Sequence, residues 1–272
     1  MYNYMGHGKY KAVFSDIDGT LLNASHRVPV RTRERIQQVN RQGIPFVLVS
    51  ARMPDGMIGI QQELNIKSPM ICYNGALILD EEKNPIYSAS LDSKDAKEIC
   101  AYIKKDMPDI CINLYSNNNW MVEDLENEWV VQEMQITGVQ AQEVSLEEKR
   151  SFVQIHKILC MGEVDHITFL EKALKEQYPK LRIYRSKDTY LEIMSIKAAK
   201  SVAIHQLGHR FGVAREEILA FGDEHNDKDM LIYAGCGVAM GNASKEVKEI
   251  ADYVTEQNDK EGLRKVLDQC YW

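Results

Sequence analysis

The sequence is short of several features that define other protein classes. Among its 272 residues no stretch approaches the roughly 18–20 apolar residues needed to span a bilayer. The buried-looking runs are short, such as Ile44-Pro45-Phe46-Val47-Leu48-Val49. The opening MYNYMGHGKYK has no apolar h-region, so a secretory leader is not expected. The six cysteines (Cys72, Cys100, Cys111, Cys160, Cys236 and Cys270) include no CxxC pair, which argues against a zinc knuckle or a thioredoxin-like motif. Scattered thiols in a chain of this length read as reduced, mostly buried and cytoplasmic. Positive charge is in deficit: 33 Lys+Arg against 40 Asp+Glu leave −7. Duplex binding leans on a cationic field, so a generic nucleic-acid binder is not expected. A small anionic substrate remains open, because local charge can oppose net charge. No low-complexity tract or internal repeat stands out, and 44% hydrophobic with 27% charged residues is ordinary globular usage.

The chain length suits one large domain or two modest ones. The first ten residues are polar and Tyr-rich. A strand is expected at 11–15, a helix at 29–42 ended by Gly43, a strand at 46–49, a helix at 54–64 and a strand at 70–73. Strand and helix in alternation are the signature of a parallel sheet wrapped by helices. The rhythm then changes. Asn74-Gly75 signals a turn, and 77–79 a short strand. Helices are expected at 93–105 and 164–177, with strands at 111–115, 120–122, 157–160, 182–185 and 190–193. After Lys200 the first rhythm resumes, with strands at 218–221 and 236–239 and helices at 201–211, 228–234, 245–251 and 262–267. The simplest organisation is an α/β core of residues 1–85 and 193–272, interrupted by an α+β domain over 86–192.

Two acidic strings follow apolar strands. The first is Asp16-Ile17-Asp18-Gly19-Thr20-Leu21-Leu22. Open α/β sheets bind ligands beyond the carboxyl ends of their strands. Two carboxylates at i and i+2 across a turn can both face that crevice, and Gly19 permits the bend. DxDG alone is also an ordinary turn. The second string is Gly222-Asp223-Glu224-His225-Asn226-Asp227, whose plain reading is a solvated loop or helix cap. Together they bring four carboxylates to one sheet edge. Two unit charges at 4 Å repel by about 4 kcal/mol at an effective dielectric near 20. A divalent cation or a lysine has to offset this. Carboxylates are hard ligands and no His/Cys cluster competes, so the metal they suit is Mg²⁺.

These strings resemble the motifs of the haloacid dehalogenase superfamily, and more closely its Cof-type branch (subfamily IIB, with a C2B cap). The first motif, DxDGTLL, spans Asp16 to Leu22. The second, a Ser or Thr after the next strand, is matched by Ser50-Ala51-Arg52, with Ala51 where Gly is usual. The third is a lysine a short step beyond Leu191-Glu192-Ile193; the spacing points to Lys200 rather than Lys197, with Ser201 in place of the usual Gly. The fourth, GDxxND, is matched at Gly222 to Asp227, and Met240-Gly241-Asn242-Ala243 has the family's look.

The resemblance implies a Rossmann-like core, an inserted α+β cap, and a Mg²⁺-dependent phosphatase of small phosphorylated metabolites. Asp16 is then the nucleophile that forms an aspartyl-phosphate. Asp18 is the general acid and later the base. The metal is held by Asp16, the main-chain carbonyl of Asp18 and Asp223. Phosphoryl oxygens meet Ser50, the amides of Ile17 and Ala51, Lys200 and Asn226. Lys200 offsets charge as the phosphoryl group transfers. Asp227 positions Lys200 or supports the metal. Sugar phosphates lead the substrate classes, with flavin or pyridoxal phosphates behind, and the cap loops are expected to select among them. Two rivals remain: a phosphotransferase or mutase with the same intermediate, and a non-catalytic phosphate sensor. Arg52 either reaches the cleft or pairs with a core acid. Tyr115, Trp120 and Trp129 read as core or cap-surface residues.

Overall fold

The computed structural model describes residues 8–146, 148 and 152–271. The chain opens with β1 (Ala12–Asp16), α1 (Val30–Arg41), β2 (Phe46–Val49), α2 (Asp55–Leu64), β3 (Met70–Cys72), β4 (Leu77–Leu79) and β5 (Pro85–Ser88). It continues with α3 (Ser93–Asp106), β6 (Cys111–Ser116), β7 (Asn119–Val122), α4 (Glu128–Thr137), β8 (Gln142–Glu143), β9 (Lys157–Met161), α5 (Val164–Gln177), β10 (Leu181–Lys187) and β11 (Tyr190–Ser195). It closes with α6 (Lys200–Phe211), β12 (Ile218–Gly222), α7 (Lys228–Tyr233), β13 (Cys236–Ala239), α8 (Lys245–Ile250), β14 (Tyr253–Val254) and α9 (Gly262–Cys270). No helix among the described residues is long and apolar enough to cross a membrane.

Contacts divide the chain into two units. One holds the residues up to Arg52, Met57–Tyr87 and those from Ala199 onward; the other holds Met53–Gly56 and Ser88–Ala198. The second break falls after β11, not inside it at 192/193. The reason is register: β11 is paired along its length with β9 and β10, so all six of its residues stay with their partners.

The first unit is built on an eight-stranded sheet in the order β14-β13-β12-β1-β2-β3-β4-β5. β1, β2 and β12 are buried at every position, as strands covered on both faces must be, and their sequences AVFSD, FVLV and ILAFG are near-continuous apolar runs. β1 pairs in parallel with β12 on one side and β2 on the other. β4 runs antiparallel to β3, so the parallel sheet carries a reversed edge. α1 starts one residue later than expected, because Pro29 takes the cap position with extended backbone (φ −60°, ψ 137°). Arg35 of α1 gathers the end of the chain: its Nη2 donates to the Leu267 carbonyl at 3.2 Å and also to that of Tyr271.

The second unit has a six-stranded sheet in the order β10-β11-β9-β6-β7-β8. Alternate residues Ile112, Leu114, Ile158, Cys160, Leu191 and Ile193 join Ile99, Ile103, Ile167, Leu170 and Leu174 of α3 and α5 in one apolar core. Trp120 is buried, stacks on Tyr115 at 5.8 Å, and donates its indole N–H to Asn113. α4 was not anticipated from sequence, although its signals were present: Asn127 caps it and Gly138 ends it in left-handed backbone (φ 69°). All six cysteines are free and buried.

Candidate active site

The chain runs outward from β1 through β2 and β3, then returns on the other side of β1 as β12. Strand order reverses beside β1, and the crevice beyond the carboxyl ends at such a reversal is where open α/β sheets bind ligands. Asp16 is the last residue of β1, Ser50 follows β2, and Asp223 follows β12. The backbone after Asp16 coils tightly through Ile17–Leu21, leaving helical geometry at Asp18 and at Gly19 (φ 78°). Gly19 is required twice over. Its backbone is left-handed, and a Cβ there would sit 2.1 Å from the Asp223 carboxylate.

Lys200 lies between two acids. Its Nζ donates to Asp16 Oδ1 at 2.6 Å and to Asp227 Oδ1 at 2.5 Å, and it is fully buried. Burial opposes its charge, but the two carboxylates outweigh burial and hold the ammonium above its usual range. Burial pushes the Asp16 carboxyl well up; Lys200 pulls it down, while Asp227 and Asp223 push it further up. Asp227 is satisfied on its other side as well, where Oδ2 accepts the amides of Asp223 and Glu224, both at 3.0 Å. Lys197, the competing lysine, is exposed.

Asp223 is held by neutral donors. The Thr20 hydroxyl donates to its Oδ1 at 2.6 Å and the Asn242 amide to its Oδ2 at 3.2 Å. Burial lifts its carboxyl to about 7. Oxygens of Asp16, Asp223 and Asp227 all lie within 4.8 Å of one another. The donor set is hard oxygen throughout, and two of its three acids are raised by burial. A small divalent cation suits such a cluster.

Four carboxylates were expected at this edge, and the structure gathers three. The Asp18 side chain turns outward, 48% exposed, and is gripped by Arg52. Ser50 is buried, and its hydroxyl accepts the Arg52 amide at 3.2 Å. Ala51 is not among the residues with positive φ, so the absent glycine brings no backbone strain. The Ile17 side chain is buried. Asn226 donates to the side-chain oxygen of Asn74 at 3.0 Å, in a loop where Tyr73, Asn74 and Gly75 all have positive φ. Sequence reasoning gave no role to Thr20, Asn242 or Asp229. Thr20 and Asn242 carried a signal, in the Asp16–Leu22 and Met240–Ala243 strings, and Asp229 carried none.

A sequence profile of the haloacid dehalogenase-like hydrolases matches residues 13–267. The chain belongs to that family. The hydrolase is 40% identical to a putative phosphatase of Haemophilus influenzae over 262 residues, 96% of this chain and 98% of that one. In structure it is similar to a haloacid dehalogenase-like hydrolase from Bacteroides thetaiotaomicron, with a TM-score of 0.87 at 28% identity over 96% of this chain and 99% of that one. It is also similar to a subclass IIB sugar phosphatase, with a TM-score of 0.81 at 28% identity over 95% and 98% of the two chains.

Proposed function

We propose that this hydrolase, a phosphatase by its family and named relatives, is a Mg²⁺-dependent phosphatase of small phosphorylated metabolites that works through an aspartyl-phosphate. The observation that carries the reading is the contact between Asp16 and Lys200. A buried carboxylate at the end of the central strand has an ammonium on one oxygen and a hard-oxygen cluster around it.

Asp16, the carbonyl of Asp18 and Asp223 would hold the metal. Bound there, Mg²⁺ would neutralise the charge that keeps a carboxylate from approaching a phosphate. Asp227 supports the site without ligating, since Lys200 and two amides already occupy its oxygens.

In the first step an Asp16 oxygen attacks phosphorus and the ester P–O bond breaks; Asp18, with one oxygen released from the Arg52 fork to carry a proton, gives that proton to the leaving alkoxide. In the second step a water passes a proton to Asp18 and attacks the phosphorus. The bond from phosphorus to Asp16 breaks, and inorganic phosphate leaves. Ser50, Asn226 and the amides of Ile17 and Ala51 bind phosphoryl oxygens. Lys200 offsets the charge that develops on them.

The unit of residues 88–198 acts as the cap domain and selects the leaving group. Sugar phosphates are the favoured class, supported by the likeness to a sugar phosphatase over nearly the whole chain.

The test is a phosphate-release screen over many metabolites, with Mg²⁺ or a chelator, using the wild type and Asp16→Asn. Release that needs Mg²⁺ and vanishes in the variant supports the reading. Equal release by both proteins sinks it. Transfer to an added sugar in place of free phosphate makes the enzyme a phosphotransferase.

A further inference from the structure

The lysine helix begins without a cap of its own. α6 starts at Lys200, and its cap position is Ala199, which makes no side-chain capping bond. Alanine is a poor cap because it offers no acceptor to the free amides of the first turn. The acceptor comes from another helix. Asp229 Oδ2 takes the Ser201 N–H at 3.0 Å and the Ser201 hydroxyl at 2.8 Å.

The placement of these groups is specific. Ser201 adjoins Lys200, and Asp229 lies two residues beyond Asp227, in the first turn of α7. The starts of the two helices are therefore joined twice. One link is Lys200 to Asp227 inside the site. The other is Ser201 to Asp229 behind it. Ala199 is also confined by the 73–75 loop, where a Cβ on Gly75 would lie 2.3 Å from the Ala199 carbonyl oxygen.

The second link carries a cost. Asp229 Oδ1 is buried with no hydrogen-bond partner among the described residues. A half-satisfied buried carboxylate is a poor way to hold two helices together, because desolvation of the unpaired oxygen works against the bonds made by the other. Its value lies in what stands next to it.

We propose that Asp229 is a positioning residue for Lys200, acting through Ser201. The inference rests on the phosphatase reading given above. In that reading Lys200 meets charge that grows in the transition state, so a displaced ammonium lowers kcat and leaves substrate binding intact. Misplacement by about 1 Å is enough to cost up to about a hundredfold. Ser201, where the family pattern has glycine, adds a second bond to the same oxygen.

The test compares Asp229→Ala, Asp229→Asn and Ser201→Ala with the wild type in Mg²⁺-dependent phosphate release. Asp229→Ala lowers kcat about tenfold or more with KM unchanged within about twofold. Asp229→Asn keeps an oxygen that accepts both bonds and restores kcat to within about threefold. Ser201→Ala removes one bond and lowers kcat about threefold. A loss carried by KM, an unchanged kcat in Asp229→Ala, or equal losses in the Ala and Asn variants overturns the proposal. Should Asp229→Ala fail to fold, an unchanged kcat in Ser201→Ala overturns it equally. A crystal structure of Asp229→Ala gives a readout independent of turnover: the Lys200 ammonium must move relative to Asp16 and Asp227. If it moves and the wild type releases no phosphate from any ester, the phosphatase reading has failed and the positioning has not. If the wild type is active and the ammonium stays in place, only the positioning has failed.

Discussion

Arg52 grips both carboxylate oxygens of Asp18, donating from Nε to Oδ2 at 2.8 Å and from Nη2 to Oδ1 at 2.6 Å. The sequence left Arg52 either reaching the cleft or pairing with a core acid; it pairs with an acid, but with the exposed Asp18 of the candidate site and not with one in the core. The fork geometry fixes the carboxylate plane as well as its distance, which a lysine cannot do. Arg52→Ala is expected to lower kcat about tenfold through loss of that orientation. Arg52→Lys, which keeps charge without the fork, should recover only part of it. Steady-state kinetics on the best substrate would check both.

Asp16→Asn is expected to cut turnover by roughly a thousandfold or more, because an amide is no nucleophile toward phosphorus. It should not lower the melting temperature. Asp16 is buried and pushed toward protonation, so its charge is a burden on the folded state that the amide lacks. Turnover and thermal melting measured on one preparation would separate the two effects.

Asp223 sets a pH dependence with a definite sign. Its folded value, about 7, lies above its ordinary 3.8. A raised acid favours the folded state fully at low pH, and that contribution is lost as pH rises through about 7. A bound cation reverses the preference by holding the carboxylate ionised. Mg²⁺ should therefore raise the melting temperature more at pH 8 than at pH 6, and Asp223→Asn should flatten the metal-free slope. Melting curves with Mg²⁺ or a chelator across that range would show it.

Lys200→Met leaves Asp16 and Asp227 buried together without their shared cation. Removing one partner from a buried ion network typically costs about 3–5 kcal/mol. Denaturant unfolding of the variant should show a loss of that order along with lost activity. An unchanged midpoint would mean that the acids accept protons at little cost.

Gly19→Ala should damage the site more than its size suggests. The added methyl needs left-handed backbone and meets the Asp223 carboxylate, so one of the two must shift. Weakened metal binding, read by calorimetry with Mg²⁺, is the expected result.

Much of the core was legible because its signals are local. The apolar runs at β1, β2 and β12 admit little but buried parallel strands, and each leads directly into a site residue. Lys200 was legible only through the family resemblance, whose lysine lies a short step beyond a strand like Leu191–Ile193. What escaped was what only tertiary contact creates. Nothing in a one-dimensional string tells Thr20 and Asn242 that they will meet on Asp223. Asp18 looked like one of four inward acids, and its outward turn depends on a guanidinium from another loop. Ser201 read as a departure from the family's glycine that put the start of the lysine helix in question, and its bonds to Asp229 from the next helix could not be read from the string.

The pairing of β1 with β12 also governs when this enzyme can exist. Ala12 finds its neighbour Ile218 only after the intervening unit has been made, and Arg35 must wait longer still for the carbonyl of Leu267. A chain emerging from the ribosome therefore presents Asp16 early and Lys200 late. Until Lys200 and β12 have emerged, the central strand lacks one parallel neighbour and Asp16 lacks its counter-charge. The acidic cluster is thus assembled only after both units have been made, and chains that end before Asp227 are expected to release no phosphate.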